Sequence, residues 1–215
     1  TKSAVARQII DDRGARIAAE DWLLRRFSEA LTSQRCGSGR SGELRCLRPG
    51  PEVEERSAIR LYSDGVVEAR FQVGLPAQGR RVRGRAAWAL IDEQVRSAAA
   101  ALRTDSGLAK HVESVVFQRA LRVAAVERGL VAFIGNGAIL PRATGVDTRP
   151  LGGAVPFQSP PSLSVTLEVL GKTIEGMGIP QGVTAIVGGG FHGKSTLLHA
   201  LQSGHLDHTP GDGRE

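Results

Sequence analysis

Val183-Thr184-Ala185-Ile186-Val187-Gly188-Gly189-Gly190-Phe191-His192-Gly193-Lys194-Ser195-Thr196-Leu197-Leu198-His199-Ala200-Leu201 runs without interruption from apolar, β-branched residues through a glycine-rich turn into a leucine pattern of helical spacing. Its middle, Gly188 to Ser195, satisfies a phosphate-binding pattern: a glycine, four free residues, then Gly-Lys-Ser or Gly-Lys-Thr. At this chain's own composition a random match has a chance of roughly 0.7%. Coincidence is therefore a poor account of it. A loop of this kind must follow a strand and open a helix, because backbone N–H groups and the helix dipole then converge on one anion. Val183 to Val187 is the expected strand, and Lys194 to Leu201 the expected helix.

The chemistry of a nucleoside triphosphate assigns the roles. Gly188, Gly189, Gly190 and Gly193 let the backbone curl around a phosphate, with Phe191 and His192 as the side chains carried inside the loop. Lys194 is expected to reach the β- and γ-phosphate oxygens, Ser195 to coordinate Mg²⁺, and Thr196 to touch the α-phosphate. His199, His205 and His208 have no recognised metal spacing. The stretch from Asp207 to Glu215 reads as a turn-rich exit from the helix, in which Asp212 and Glu215 become catalytic carboxylates only if the chain folds back.

Working towards the N-terminus, Leu163, Val165, Leu167 and Val169 alternate as a strand would. Residues 141–162 carry five prolines and suit an inter-domain connection. Leu130 to Ile134 is a strand candidate, Asn136-Gly137 a turn, and Ala138 to Leu140 a return strand. Helical periodicity covers 17–31, 87–102 and about 107–127. Between the first two helices, Ile59 to Leu61 and Val67 to Val73 alternate around Asp64-Gly65, a hairpin signal. Residues 33–57 look like a long surface loop. The expected fold is an α+β N-terminal domain over residues 1–155, followed over 156–215 by the truncated start of an α/β phosphate-loop domain.

The chain has 215 residues and a formal net charge of +6. The excess is carried at the front, where residues 1–110 hold 20 Lys+Arg against 14 Asp+Glu. Arg80, Arg81, Arg83 and Arg85 form the densest cationic cluster, readable either as a solvated turn or as a contact for nucleic-acid phosphates. The two cysteines, Cys36 and Cys46, lack a second pair for a zinc site and read as reduced thiols. No apolar run approaches the roughly 18 residues of a membrane-spanning helix. The expectation is a cytoplasmic protein without membrane association.

The run Gly176-Met-Gly-Ile-Pro-Gln-Gly-Val183 through the loop to Leu198, and the closing His208-Thr-Pro-Gly-Asp-Gly-Arg-Glu215, resemble a family described as ATPases of the ABC class. So do Ala19 to Phe27, Ala69 to Ala77, Gly129 to Ile134 and Gly137 to Arg142. The resemblance implies a family-specific N-terminal domain, an ABC-type domain with its Walker A loop, binding of ATP and Mg²⁺, and an ATP-dependent homodimer. It also implies a glutamine loop, a signature sequence, a Walker B strand and a switch histidine downstream of the lysine. Only 21 residues follow Lys194, so the chain is expected to be an N-terminal fragment with no catalytic residue of its own for hydrolysis. Two alternatives stand beside this reading: an RNA- or DNA-binding module with a basic N-terminal domain, and another phosphate-loop kinase or GTPase.

Overall fold

A computed structural model describes residues 7–34, 39–102 and 106–215; Cys36 and Lys2 lie outside them. In chain order come α1 (Arg7–Asp11), α2 (Arg13–Ala30), β1 (Leu44–Arg45), β2 (Glu52–Val53), β3 (Ile59–Leu61), β4 (Val67–Ala69), β5 (Gln72–Val73), β6 (Ala77–Gln78) and β7 (Arg81–Val82). There follow α3 (Gly84–Ala101), α4 (Ser106–Glu127), β8 (Leu130–Gly135), β9 (Ser164–Val169), β10 (Lys172–Pro180), α5 (Lys194–Ser203) and β11 (Asp207–His208). Helices and antiparallel strands are mixed, an α+β architecture. None of the described helices is long and apolar enough to cross a membrane.

The chain forms two compact units, one from Thr1–Pro49 and Glu54–Val112, the other from Gly50–Val53 and Glu113–Glu215. The boundary expected at 155 falls inside the second unit, because β8 and β10 pair across it. Residues 141–162, read as a connection, are tied into that unit. Phe157 exchanges backbone hydrogen bonds with Gly137 and Ala138, and Ser159 N–H donates to Asn136 Oδ1 at 2.7 Å.

In the first unit α2 starts cleanly because Asp12 accepts the Ala15 N–H at 2.7 Å, relieving one of the orphan amides of a helix start. Phe27, Leu31, Leu44, Leu90 and Ala98 form one core cluster of this unit, with Phe71 and Val73 against them. On α3 the buried residues Ala87, Leu90, Gln94 and Ala98 fall at three- and four-residue steps, which is one stripe of the cylinder. The sequence hairpin is present as β3 with β4, Ile59 opposite Ala69 and Leu61 opposite Val67. The alternation continues to Val73, yet the partner changes: β5 pairs with β1, inside the segment read as a long loop. Two carboxylates are buried on α2. Asp21 faces Arg25 at 2.7 Å, Arg56 at 2.9 Å and His111 at 3.2 Å. Glu20 accepts the Leu61 N–H at 2.8 Å, and burial pushes its carboxyl above the usual range.

The second unit is built on an antiparallel sheet of order β8-β10-β9. Along β8, Phe133 joins one cluster with Leu167, Val169 and α4 residues Phe117, Leu121 and Ala125. Its neighbours Ala132 and Ile134 join another with Met177, Ile179, Phe157 and α5 residues Leu197 and Leu201. Successive side chains of a strand point to opposite faces, so α4 covers one face of the sheet and α5 the other. The central strand runs close to its neighbours: a Cβ on Gly176 would fall 2.2 Å from Ile134 O.

Two strands read from sequence are absent. Ala138 to Leu140 leaves the Asn136-Gly137 turn without pairing, since its backbone turns to Phe157 and Gly213 instead. Val183 to Val187 is extended but unpaired, and Val183 and Val187 point into solvent. A strand exists by virtue of neighbours that take its N–H and C=O groups, and among the described residues no strand pairs with this segment.

Candidate functional site

Leu197 and Leu201 anchor α5 on the sheet, and this fixes where its first turn points. Gly193, the residue before the helix, has φ +78°, a left-handed conformation that costs a side-chain-bearing residue about 1–2 kcal/mol. No side chain caps the helix, and its hydrogen-bond ladder begins with Leu197 N–H to Gly193 O at 2.9 Å. The amides of Lys194, Ser195 and Thr196 precede that first rung, so α5 offers them at its positive end.

The loop closes on itself around the lysine. Lys194 Nζ donates to Gly188 O at 2.6 Å and also to Gly189 O. Gly189 N–H donates to His192 Nδ1 at 3.1 Å, so that ring nitrogen is the unprotonated one in this arrangement. The imidazole lies over the glycines: a Cβ on Gly189 would fall 3.1 Å from His192 Cε1. Gly190, Phe191 and Ser195 are exposed, with Phe191 at a left-handed φ of 62°, while Thr196 is half-buried. The nine residues read from sequence, Gly188 to Thr196, are thus brought together by one turn of backbone.

Their donor set suits a polyphosphate. It contains an ammonium, consecutive amides, two hydroxyls and no carboxylate. Among the described residues no group of three His, Cys, Asp or Glu side chains is placed to hold a metal. Beside the loop opens a cleft of about 700 Å³ walled by Leu151, Val155, Phe157 and Ile186, with Lys194 and Thr196 on its rim.

The tail after α5 behaves otherwise than its turn-rich composition suggests. β11 pairs with β2, Asp207 opposite Val53 and His208 opposite Glu52. Asp207 is held by Arg119 at 2.7 Å and by Arg122. Asp212 takes both ends of the Arg142 guanidinium, at 2.8 and 3.0 Å, and lies 2.9 Å from His208 Nδ1. Gln118 clasps the His208 backbone from both sides, each bond 2.8 Å. Burial alone would raise the Asp212 carboxyl, but the bond to His208 and the charge of Arg142 outweigh it and hold it below the usual range. Asp212 does fold back, then, but as an arginine's partner. Glu215 accepts the Gly211 and Gly213 amides. His199 is exposed and His205 meets Gln202 O at 2.7 Å. The pairing of Arg119, Arg122 and Arg142 with the tail spans 70 to 88 residues, which no local spacing encodes.

Arg80, Arg81, Arg83 and Arg85 sit on the β6–β7 hairpin and the start of α3, all exposed and in the first unit.

A left-handed glycine followed by a lysine-bearing helix start is the local form of a phosphate loop. Residues 104–215 match the family described as the ABC_ATPase P-loop domain, and residues 1–102 match the N-terminal domain of ATPases of the ABC class. The chain belongs to the ABC-class ATPase family, with its N-terminal domain followed by the phosphate-loop domain. It is similar, at 35% identity over 118 residues, to an uncharacterized protein of Methanocaldococcus jannaschii; the match covers 50% of this chain and 26% of that protein. The chain thus spans about a quarter of the length of this curated relative.

Proposed function

We propose that the loop from Gly188 to Thr196 binds ATP with Mg²⁺, as the nucleotide site of an ATPase that dimerises when ATP is bound. The observation that carries this reading is the position of Lys194, whose ammonium is held at the mouth of the loop by Gly188 O and Gly189 O. Exchanging two neutral carbonyls for anionic phosphate oxygens adds a charge–charge attraction to bonds whose donor is already charged. The amides at the start of α5 bind the same phosphate chain, and the cleft beside them takes the nucleoside against its apolar wall. Bound Mg²⁺ supplies neutralisation of the phosphate charge, with Ser195 Oγ as its protein ligand. Phe191, fully exposed, excludes no water in this arrangement. Hydrolysis needs a group that orients water, and the neighbouring carboxylates Asp207 and Asp212 are committed to arginines. Asp207 and Asp212 are therefore not the groups that activate water, and the role read for this loop is binding and orientation. Titration of the protein with ATP and Mg²⁺, compared with Lys194→Ala, tests the site: equal affinities would move the nucleotide elsewhere.

A further inference from the structure

We propose that the β6–β7 hairpin and the first turns of α3 form a second anion site, distinct from the phosphate loop, that binds a single-stranded polynucleotide through Arg80, Arg81, Arg83, Arg85 and Trp88. Residues 74–91 contain four arginines and no acidic residue. Exposure alone does not distinguish these arginines. Arg13, Arg60, Arg70 and Arg96 of the same unit are also exposed, yet each lies within 3.2 Å of a carboxylate. Among the described residues none of Arg80, Arg81, Arg83 and Arg85 has a carboxylate within 4.0 Å. Four unneutralised guanidinium groups within six residues repel one another, an arrangement that an external polyanion relieves. Gly79, at φ +58°, makes the tight turn that lifts Arg80 to the hairpin tip; Arg81 lies on β7 opposite Gln78, and Arg83 follows as the residue that opens α3. The first turn of α3 holds no acidic residue either, so the positive end of the helix has the same sign as the arginines.

Trp88 separates a polynucleotide from other polyanions. Trp88 is 71% exposed, although it lies between the buried residues Ala87 and Leu90 of α3. It stands three residues from Arg85 on the helix, so the indole and that guanidinium share a face. Asp92, one turn further on, is paired with Arg96 and does not cancel the patch. A free planar ring beside unpaired arginines matches the two parts of a single strand: phosphates for the forks and a base face for stacking. In a duplex the base faces are covered by their neighbours.

The test is fluorescence anisotropy of the full-length protein with labelled oligouridylate and oligothymidylate of about twenty nucleotides, over a salt series. Replacing Arg80, Arg81, Arg83 and Arg85 together by Ser is expected to weaken binding about a hundredfold and to lower the log–log salt slope by about 3. Trp88→Ala is expected to cost about tenfold, while Trp88→Phe keeps most of the affinity. Lys194→Ala leaves both unchanged, which separates this site from the nucleotide site. Tighter binding of oligouridylate would assign RNA, and parity would assign either strand. The proposal is overturned if the four-serine variant, shown folded by circular dichroism, binds as the parent does. It is also overturned if Trp88→Ala abolishes self-association and leaves oligonucleotide affinity intact, since a second copy of the chain then covers the indole, or if polyglutamate competes equally at matched charge.

Discussion

Two glycine-rich segments flank α5, and they are opposites. Before the helix, Gly188 to Gly193 is exposed, and its polar contacts are to its own backbone, His192 and Lys194. After it, Pro210-Gly211-Asp212-Gly213 is locked, with Asp212 4% exposed between Arg142 and His208. The composition of the two is similar. What differs is where the opposite charge resides: the tail finds its cations within the fold, whereas the loop presents a cation whose present partners are neutral. A glycine-rich turn is a ligand site when its charges are left for a ligand to satisfy.

The contrast can be broken at the tail first. Asp212→Ala removes both carboxylate bonds of the Arg142 guanidinium, leaving it the backbone carbonyl of residue 212, and is expected to destabilise the protein by about 3 kcal/mol in denaturant titrations. The same pair sets a pH dependence. A carboxyl held below its ordinary value contributes stability that is present above the unfolded-state value of about 3.9 and is lost as pH falls through the lower folded value. Acid unfolding followed by circular dichroism should therefore lose part of its steepness below about pH 4 in Asp212→Asn.

Lys194→Ala is expected to do the reverse: to weaken ATP binding about 10- to 100-fold by calorimetry while leaving the unfolding midpoint in place, because its contacts are with exposed carbonyls. Gly193→Ala touches both properties. It forces a Cβ into a left-handed φ, so a stability loss of about 1–2 kcal/mol should accompany weaker nucleotide binding. The smallest effect is expected for Phe191→Ala, within about 0.5 kcal/mol in stability, since the ring packs against nothing. A larger loss would mean that the loop is packed and the contrast with the tail is weaker than drawn.

Much of this was legible in the residues. The α2, α3 and α4 stripes, the Asp64-Gly65 hairpin and the start of α5 follow from periodicities of 3.6 and 2 that act over a few residues. The strand β10 was not legible: Lys172-Thr-Ile-Glu-Gly-Met-Gly-Ile-Pro180 alternates poorly and holds two glycines, yet it is the centre of the sheet. Those glycines weaken a strand signal because a side chain there would strike β8 and β9, the closeness that a central strand imposes. Val183 to Val187 errs the other way, with strand chemistry and no neighbour to pair with.

The sequence by itself determined the phosphate loop. One glycine at the turn, one lysine and one hydroxyl at the start of a helix are consecutive, so their geometry is set by local backbone conformation, and family membership agrees with that reading. Only the tertiary structure decided which charges are spent inside the fold and which are left outside. Arg119, Arg122 and Arg142 meet their carboxylates across 70 to 88 residues, while Arg80 to Arg85 meet none among the described residues. The physical reason is range: backbone periodicity acts between neighbours along the chain, whereas an ion pair is decided by whatever the fold brings within 4 Å.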